Sequence, residues 1–297
     1  MYVPSVYQSD EYKRSLEAGG KNLIPISDKL FAMEREIKLP VLGNQKILEA
    51  RGFPTSEELK KFKEISKGYF YGTIAPTVMN PQHDLFKLEN YHKIANHTIL
   101  VDLQKSEEDL WSSMEKKSAR WGVKTATKNE LRCVVPDSND FDAFYELYAE
   151  RVRAGGISPE AKESIHLLSL TRVSKLLVVK YGRQVVAGGI ILLDKNNKYA
   201  ILDIATASDK GFELQAMPFL YWKLMLIAKE QGLRYFDLGG YDVGAKKGDK
   251  LYNINKFKER FGGRVVEQPI HATHGRYVSM RKVLGAFKFM KQWYRKD

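Results

Sequence analysis

RYFDLGGYDVGAKKGDKLYNINKFKERFGG, residues 234–263, is the most informative stretch of the chain. A β-rich run ends at Gly239-Gly240, a polar loop follows, and a short basic helix, INKFKERF (254–261), closes on a second glycine pair, Gly262-Gly263. Gly262, just past the helix, fits a left-handed cap. A strand that stops at glycines lets another molecule approach its backbone, and lysines on the helix beside it suit an anionic ligand.

Outward from this unit the order of elements can be read. Downstream, GRVVEQPIHAT (263–273) reads as one last strand. Upstream lies a helix over about 218–231, with Pro218 in its first turn. Before it, LLVVKYG (176–182), VVAGGIILLD (185–194) and YAILDIATA (199–207) are strands joined at Gly182-Arg183 and at KNNK (195–198), turns short enough for an antiparallel meander. Two helices, about 140–153 and 159–173, precede the meander, and PDSND (136–140) reads as a boundary.

The first half is read the same way. LIPIS (23–27) fits an edge strand, LFAMEREIKLPVL (30–42) and QKILEAR (45–51) two strands, and YFYGTIAP (69–76) and HTILVDL (97–103) two more. Thr55 and Glu58 form a capping box for a helix through about Lys67. A second capped helix starts at Ser106 and carries Leu110, Trp111, Met114 and later Trp121, followed by LRCVV (131–135). These readings give domains at 1–135 and 136–275, with a terminal segment at 276–297.

The 297 residues suffice for two domains, and 43% hydrophobic content provides core material for both. Forty-eight basic against 36 acidic residues give +12, which argues for a polyanionic partner. Half of that excess lies in 276–297, where seven basic residues and one acid alternate with Val283, Leu284, Phe287, Met290 and Trp293 at helical spacing. This reads as a basic amphipathic helix for which the protein's own body, a membrane surface or RNA are all suitable partners. The lone Cys133 excludes a disulfide framework and a cysteine metal site. No secretory leader is recognisable, and the longest apolar run, 185–193, is too short to span a bilayer. The expectation is a soluble, cytoplasmic chain, with peripheral contact at the inner face of the membrane open to its C-terminal helix.

With these motifs in place, a family resemblance can be stated. The segment from Val101 to Val135 contains Asp102, Leu103, Glu107, Glu108, Leu110, Arg120, Lys124, Ala126 and Lys128 in an order similar to the FemABX pattern. VVAGGIILL and YAILDIATAS resemble that family's central hairpin, and RYFDLGG and NKFKERFGG its closing motifs. The resemblance covers about residues 97–267. It implies an α+β fold of two tandem GNAT-like domains with mixed, largely antiparallel sheets. It also implies transfer of an aminoacyl group from aminoacyl-tRNA to an amine, usually on a peptidoglycan precursor. The chain lacks the long helical arm of the best-known members.

Such a transfer needs a donor or cation near the developing oxyanion and a route for the amine proton. The resemblance places Lys258 near the donor ester, with Phe257 on the same wall. Asp237 and Asp203 are candidate bases. Gly239, Gly240, Tyr241, Asp242, Tyr252, Lys256 and Arg260 are candidate substrate contacts around the loop, and Arg120 and Lys124 are candidate phosphate contacts in the first half.

No cofactor and no metal is expected. KGFELQAMP (210–218) lacks the glycine spacing with which GNAT enzymes hold the CoA pyrophosphate, which favours tRNA as donor. Gly239 and Gly244 only approximate a P-loop, and His271 and His274 have no partner cluster at ligand spacing. Two alternatives stay open: an N-acyltransferase of polysaccharide or lipid biosynthesis with another acyl donor, and a non-catalytic RNA- or membrane-binding protein of the same fold.

Overall fold

The computed structural model describes residues 5–39, 42–76, 83–275 and 279. The expected C-terminal basic helix lies almost wholly outside the described residues. In chain order the elements are α1 (Asp10–Ala18), β1 (Leu23–Pro25), β2 (Phe31–Leu39), β3 (Gly43–Arg51), α2 (Ser56–Ile65), β4 (Gly72–Ala75), α3 (His83–Leu88), β5 (His92–Ile94) and β6 (His97–Asp102). Next come α4 (Glu107–Ser113), a single π-turn (Lys116–Arg120), α5 (Trp121–Lys128), β7 (Arg132–Val134), α6 (Ser138–Ala154) and α7 (Lys162–Ser169). The meander follows as β8 (Ser174–Tyr181), β9 (Gln184–Asp194) and β10 (Tyr199–Ala207). The chain then runs through α8 (Asp209–Glu213), α9 (Ala216–Glu230), β11 (Tyr235–Tyr241), α10 (Lys250–Glu259), β12 (Arg264–Glu267) and β13 (Ile270–Ala272). The architecture is α+β with two mixed, largely antiparallel sheets.

The chain divides into two compact units, one of residues 1–8, 21–96 and 267–297 and one of residues 9–20 and 97–266. The expected division at 135/136 therefore falls inside the second unit. The reason is strand pairing: β6 pairs along β11 and β7 along β8, so residues 97–135 complete the second sheet. Helix α1 also belongs there, with Arg172 Nε 2.7 Å from Glu11 Oε1.

Among the described residues the first unit holds a sheet in the order β1-β2-β3-β4-β13-β5, with β3 and β4 parallel. Ile26, Leu30, Leu48, Leu59, Phe62, Ile74 and Phe86 form its core. The expected capping box is present: Thr55 Oγ1 accepts from Glu58 N at 3.2 Å and Glu58 Oε2 accepts from Thr55 N at 2.7 Å. The expected last strand is split, because Gln268 N donates to Asn96 O at 2.7 Å and Pro269 has no N–H to continue a ladder. Its two parts join different sheets.

The second unit holds a sheet in the order β12-β6-β11-β10-β9-β8-β7. Strand β9, between β10 and β8, is buried on both faces, as its run of apolar residues requires. Gly188 meets one cover: a Cβ there would stand 2.5 Å from the Phe144 ring of α6. Gly189 meets the other, since its Cβ would stand 3.3 Å from Leu220 and Leu224 of α9. Phe144, Leu220 and Leu224 are buried at essentially zero exposure, so truncating any one of them should cost about 2–5 kcal/mol.

One expected helix is broken. Ser106 caps α4, but Met114 turns extended at ψ 145° and is buried in the core. Glu115 N then donates to Arg260 O at 2.8 Å, and the chain resumes through the π-turn into α5.

Candidate active site in the second unit

Strands β10 and β11 run parallel for three residue pairs, from Tyr199–Tyr235 to Ile201–Asp237. Beyond that point β10 bulges between Leu202 and Ile204, and β11 bulges between Asp237 and Gly240. A bulge bends its strand and increases its twist. A cavity of about 840 Å³ opens past the last pair. Ala205–Ala207 of β10, the start of α9, the length of α10 and the π-turn wall it.

Its lining combines aromatic walls with cations. Trp121, Phe212, Tyr221 and Phe257 supply the rings, and Lys117, Arg151, Lys250 and Arg260 the charges. No carboxylate is among its described lining residues. Tyr221 packs edge-on against Phe257 with centroids 5.1 Å apart. Burial raises the Tyr221 phenol well above its ordinary value, so it stands in the wall as a protonated donor. Sequence reasoning missed Tyr221, one of sixteen tyrosines in the chain. A tyrosine in the first two turns of an otherwise apolar buried helix was the available signal.

Helix α10 carries Phe257 into the cavity wall and Lys258 toward the strand end. Lys258 Nζ donates to Gly240 O at 2.9 Å, and a Cβ on Gly239 would stand 3.5 Å from it. Burial lowers the Lys258 pKa from its ordinary value, partly offset by the charge of Asp237. Gly239 adopts φ +80°, and nothing lies within 4 Å of a Cβ on Gly240, so this strand end is open. Asp237 lies beneath, 2% exposed, accepting from Thr98, from Tyr199 and from Gly239 N at 2.7 Å. Burial raises its carboxyl above the ordinary range, while these bonds and Lys258 oppose the rise.

The remaining candidates are dispersed. Tyr241 donates to Glu259 at 2.7 Å, Lys256 pairs with the same carboxylate at 2.6 Å, and Lys256 also lies over the Tyr252 ring. Asp242 organises the loop, with Oδ1 accepting from Gly244 N at 2.9 Å and its backbone paired with the Asn255 amide. Arg260 lines the cavity and reaches Glu115 at 3.6 Å. Arg120 ends the π-turn without lining the cavity, and Lys124 lines a separate groove beside Trp111 and Trp222. Asp203 lies on the β10 bulge, in a smaller cavity with Tyr148 and Glu160.

The glycine pairs differ in kind. Gly262 has φ +74°, and its Cβ would stand 2.5 Å from Ser113 Oγ; a Cβ on Gly263 would stand 2.5 Å from Ile99. That pair seats α10 on β6 and α4, whereas Gly239-Gly240 leave space. Gly211 in KGFELQAMP is likewise a packing glycine, since its Cβ would stand 2.2 Å from Val186 O. Pro218, third in α9, removes one of the amides a helix start would offer an anion.

Residues 112–252 match the sequence model of the family described as an acetyltransferase (GNAT) domain. No curated protein matches the chain. Among solved structures, FemX superposes with a TM-score of 0.68 at 13% identity, covering 93% of this chain and 94% of that one. The C-terminal domain of a putative lysylphosphatidylglycerol synthetase from Agrobacterium fabrum gives 0.63 at 16% identity, covering 93% and 91%. L-PGS from Bacillus licheniformis gives 0.61 at 15% identity, covering 96% and 97%. The acetyltransferase (GNAT) match is confined to residues 112–252, and the fold shared with these three structures extends over most of the chain.

Proposed function

We propose that the protein is an aminoacyltransferase that moves an amino acid from aminoacyl-tRNA to an amine of a peptidoglycan precursor. The observation that carries this reading is the charge pattern of the 840 Å³ cavity, with cations and aromatic rings but no carboxylate in its described lining. A single-stranded nucleotide end presents phosphates for such cations and bases for such rings. The sequence resemblance to FemABX enzymes supports this donor and acceptor, and the superposition on FemX supports the fold that the reading requires.

In this reading the acceptor nitrogen adds to the ester carbonyl and its oxygen gains negative charge. The carbon–oxygen bond to the ribose then breaks, and the proton lost by the amine ends on the ribose hydroxyl. Lys258 places a positive charge at the open strand end, and Tyr221 offers a hydrogen bond from the cavity wall. Asp237 orders the strand end, its oxygens being occupied by three donors, and its charge favours the ammonium of Lys258. Phe257, Arg260, Lys117 and Lys250 hold the tRNA end.

A second reading is an N-acyltransferase that uses an acyl-CoA, favoured by the acetyltransferase match over residues 112–252. The packing role of Gly211 and the proline in the first turn of α9 weigh against a pyrophosphate cradle there. Binding of a non-hydrolysable aminoacyl minihelix ending in CCA, measured beside CoA, tests the choice. Minihelix binding lost in a Lys117→Ala, Lys250→Ala, Arg260→Ala triple variant is expected. Tight CoA binding with no minihelix binding would reverse the order of the two readings.

A further inference from the structure

A groove of about 500 Å³ lies between α4, α5 and α9 and shares no lining residue with the 840 Å³ cavity. Helical spacing builds it. On α4, Trp111 stands one turn beyond Glu107 and Glu108. On α9, Trp222 and Lys223 stand one turn beyond Phe219, and on α5, Val123 and Lys124 line the same space. Val123, Phe219 and Trp222 are only 6–7% exposed, and Trp111 meets Trp222 edge-on with ring centroids 5.4 Å apart. The same two helices, α5 and α9, turn Trp121 and Tyr221 toward the larger cavity.

The charges of this groove are of both signs and do not neutralise one another. Among the described residues, the side chains of Glu107, Glu108 and Lys124 make no ion pair or hydrogen bond. Lys223 makes no ion pair either and rests over the Phe219 ring, 5.5 Å from its centroid. The Trp222 indole N–H also has no hydrogen-bond partner among the described residues, although its side chain is 6% exposed. A buried indole ordinarily finds one. Lys223 follows Trp222 directly, so α9 brings an ammonium and an unused N–H donor to the groove. Helix α4 brings two carboxylate acceptors.

We infer that this groove binds a free amino acid with a large apolar side chain. Its carboxylate is held by Lys223 and the Trp222 N–H, its ammonium by Glu107 and Glu108, and its side chain by the two indoles. A zwitterion satisfies both signs at once through charge-assisted bonds. A simple cation would face the two lysines and a simple anion the two glutamates, each at a loss. The volume of about 500 Å³ falls within the roughly 300–1,000 Å³ of small-molecule pockets, and the mixture of apolar surface with a few polar groups is theirs too. The inference goes beyond the transfer reading and does not depend on it, since no residue of the groove has a part in the proposed transfer.

The test titrates the whole protein with L-phenylalanine and follows the indole N–H signals by NMR, each assigned through its Trp→Phe variant. Saturable shifts at Trp111 and Trp222, with Trp121 of the other cavity unmoved, are expected. N-acetyl-L-phenylalanine lacks the ammonium, L-phenylalaninamide lacks the carboxylate, and L-alanine lacks the apolar side chain. Each should bind more weakly than L-phenylalanine by about tenfold or more. Glu107→Gln with Glu108→Gln should weaken L-phenylalanine without weakening its N-acetyl form. Lys223→Gln should weaken L-phenylalanine without weakening its amide. No shift at either indole, shifts confined to Trp121, or equal affinity for the blocked forms would overturn the site. The comparison of ligands on the wild-type protein stands whether or not the variants fold. Failure of transfer from aminoacyl-tRNA would leave this inference intact, and absence of binding here would leave the transfer reading intact.

Discussion

The Lys258 ammonium donates to the Gly240 carbonyl at 2.9 Å, which fixes a positive charge at the open end of β11, above the buried Asp237 carboxylate. Removing that charge should be felt in catalysis before stability. Lys258→Ala is expected to lower kcat by about 100-fold or more, the scale of a lost oxyanion donor, with an unchanged circular dichroism spectrum. Transfer at the wild-type rate would remove Lys258 from the mechanism.

The same lysine predicts an alkaline limit. Burial disfavours its charged form, so its pKa lies below the ordinary lysine value of about 10.4. Its ammonium is complete below that lowered pKa and is lost as pH rises through it. Transfer should therefore fall on an alkaline limb that begins below pH ~10.4, and Lys258→Arg should move the limb upward. An identical limb in Lys258→Arg would assign it to another group, the acceptor amine included.

Tyr221 stands in the cavity wall as a protonated donor. Tyr221→Phe keeps the ring and its packing on Phe257 while deleting the hydroxyl. We expect kcat to fall by about 10–100-fold with little change in melting temperature, since one transition-state hydrogen bond is removed. An unchanged kcat would leave the ring as wall only.

How much of this was legible in the sequence differs by element. The β8–β9–β10 meander was readable because short turns separate three apolar runs, and the Thr55 box because it is local chemistry. The break after Ser113 was not readable, because the bond from Glu115 N to Arg260 O joins residues 145 apart. The split of β12 from β13 was only half legible: Pro269 stands between them in the sequence, but the bond from Gln268 N to Asn96 O that turns the chain joins distant residues. Around the site, INKFKERF pointed to α10 and hence to Phe257 and Lys258, while the cavity itself also needed the π-turn, which has no sequence signature here. Asp237 was legible as an acid at a strand end, but its three donors come from β6, β10 and β11.

The two glycine pairs give a prediction on stability. Gly262→Ala puts a side chain at φ +74° against Ser113, which costs about 1–3 kcal/mol from the backbone alone. Gly240→Ala meets open space and should leave the melting temperature unchanged while impeding transfer. Calorimetry beside the transfer assay separates the two. Equal loss of stability in both variants would contradict an open strand end.

If the cavity holds a tRNA end, binding should weaken steeply with salt, by about 0.7 in the logarithmic slope for each neutralised phosphate. Replacing Lys117, Lys250 and Arg260 should flatten that slope as well as lower the affinity. A slope unaffected by the three substitutions would place the RNA elsewhere on the protein.

The most direct test of the central claim is transfer of radiolabelled amino acids from a charged total-tRNA pool to lipid-linked and nucleotide-linked peptidoglycan precursors. Matched reactions would contain ribonuclease or an acyl-CoA in place of tRNA. The account predicts labelled precursor that ribonuclease abolishes and acyl-CoA does not support. Acylation that proceeds only with acyl-CoA, untouched by ribonuclease, would contradict it.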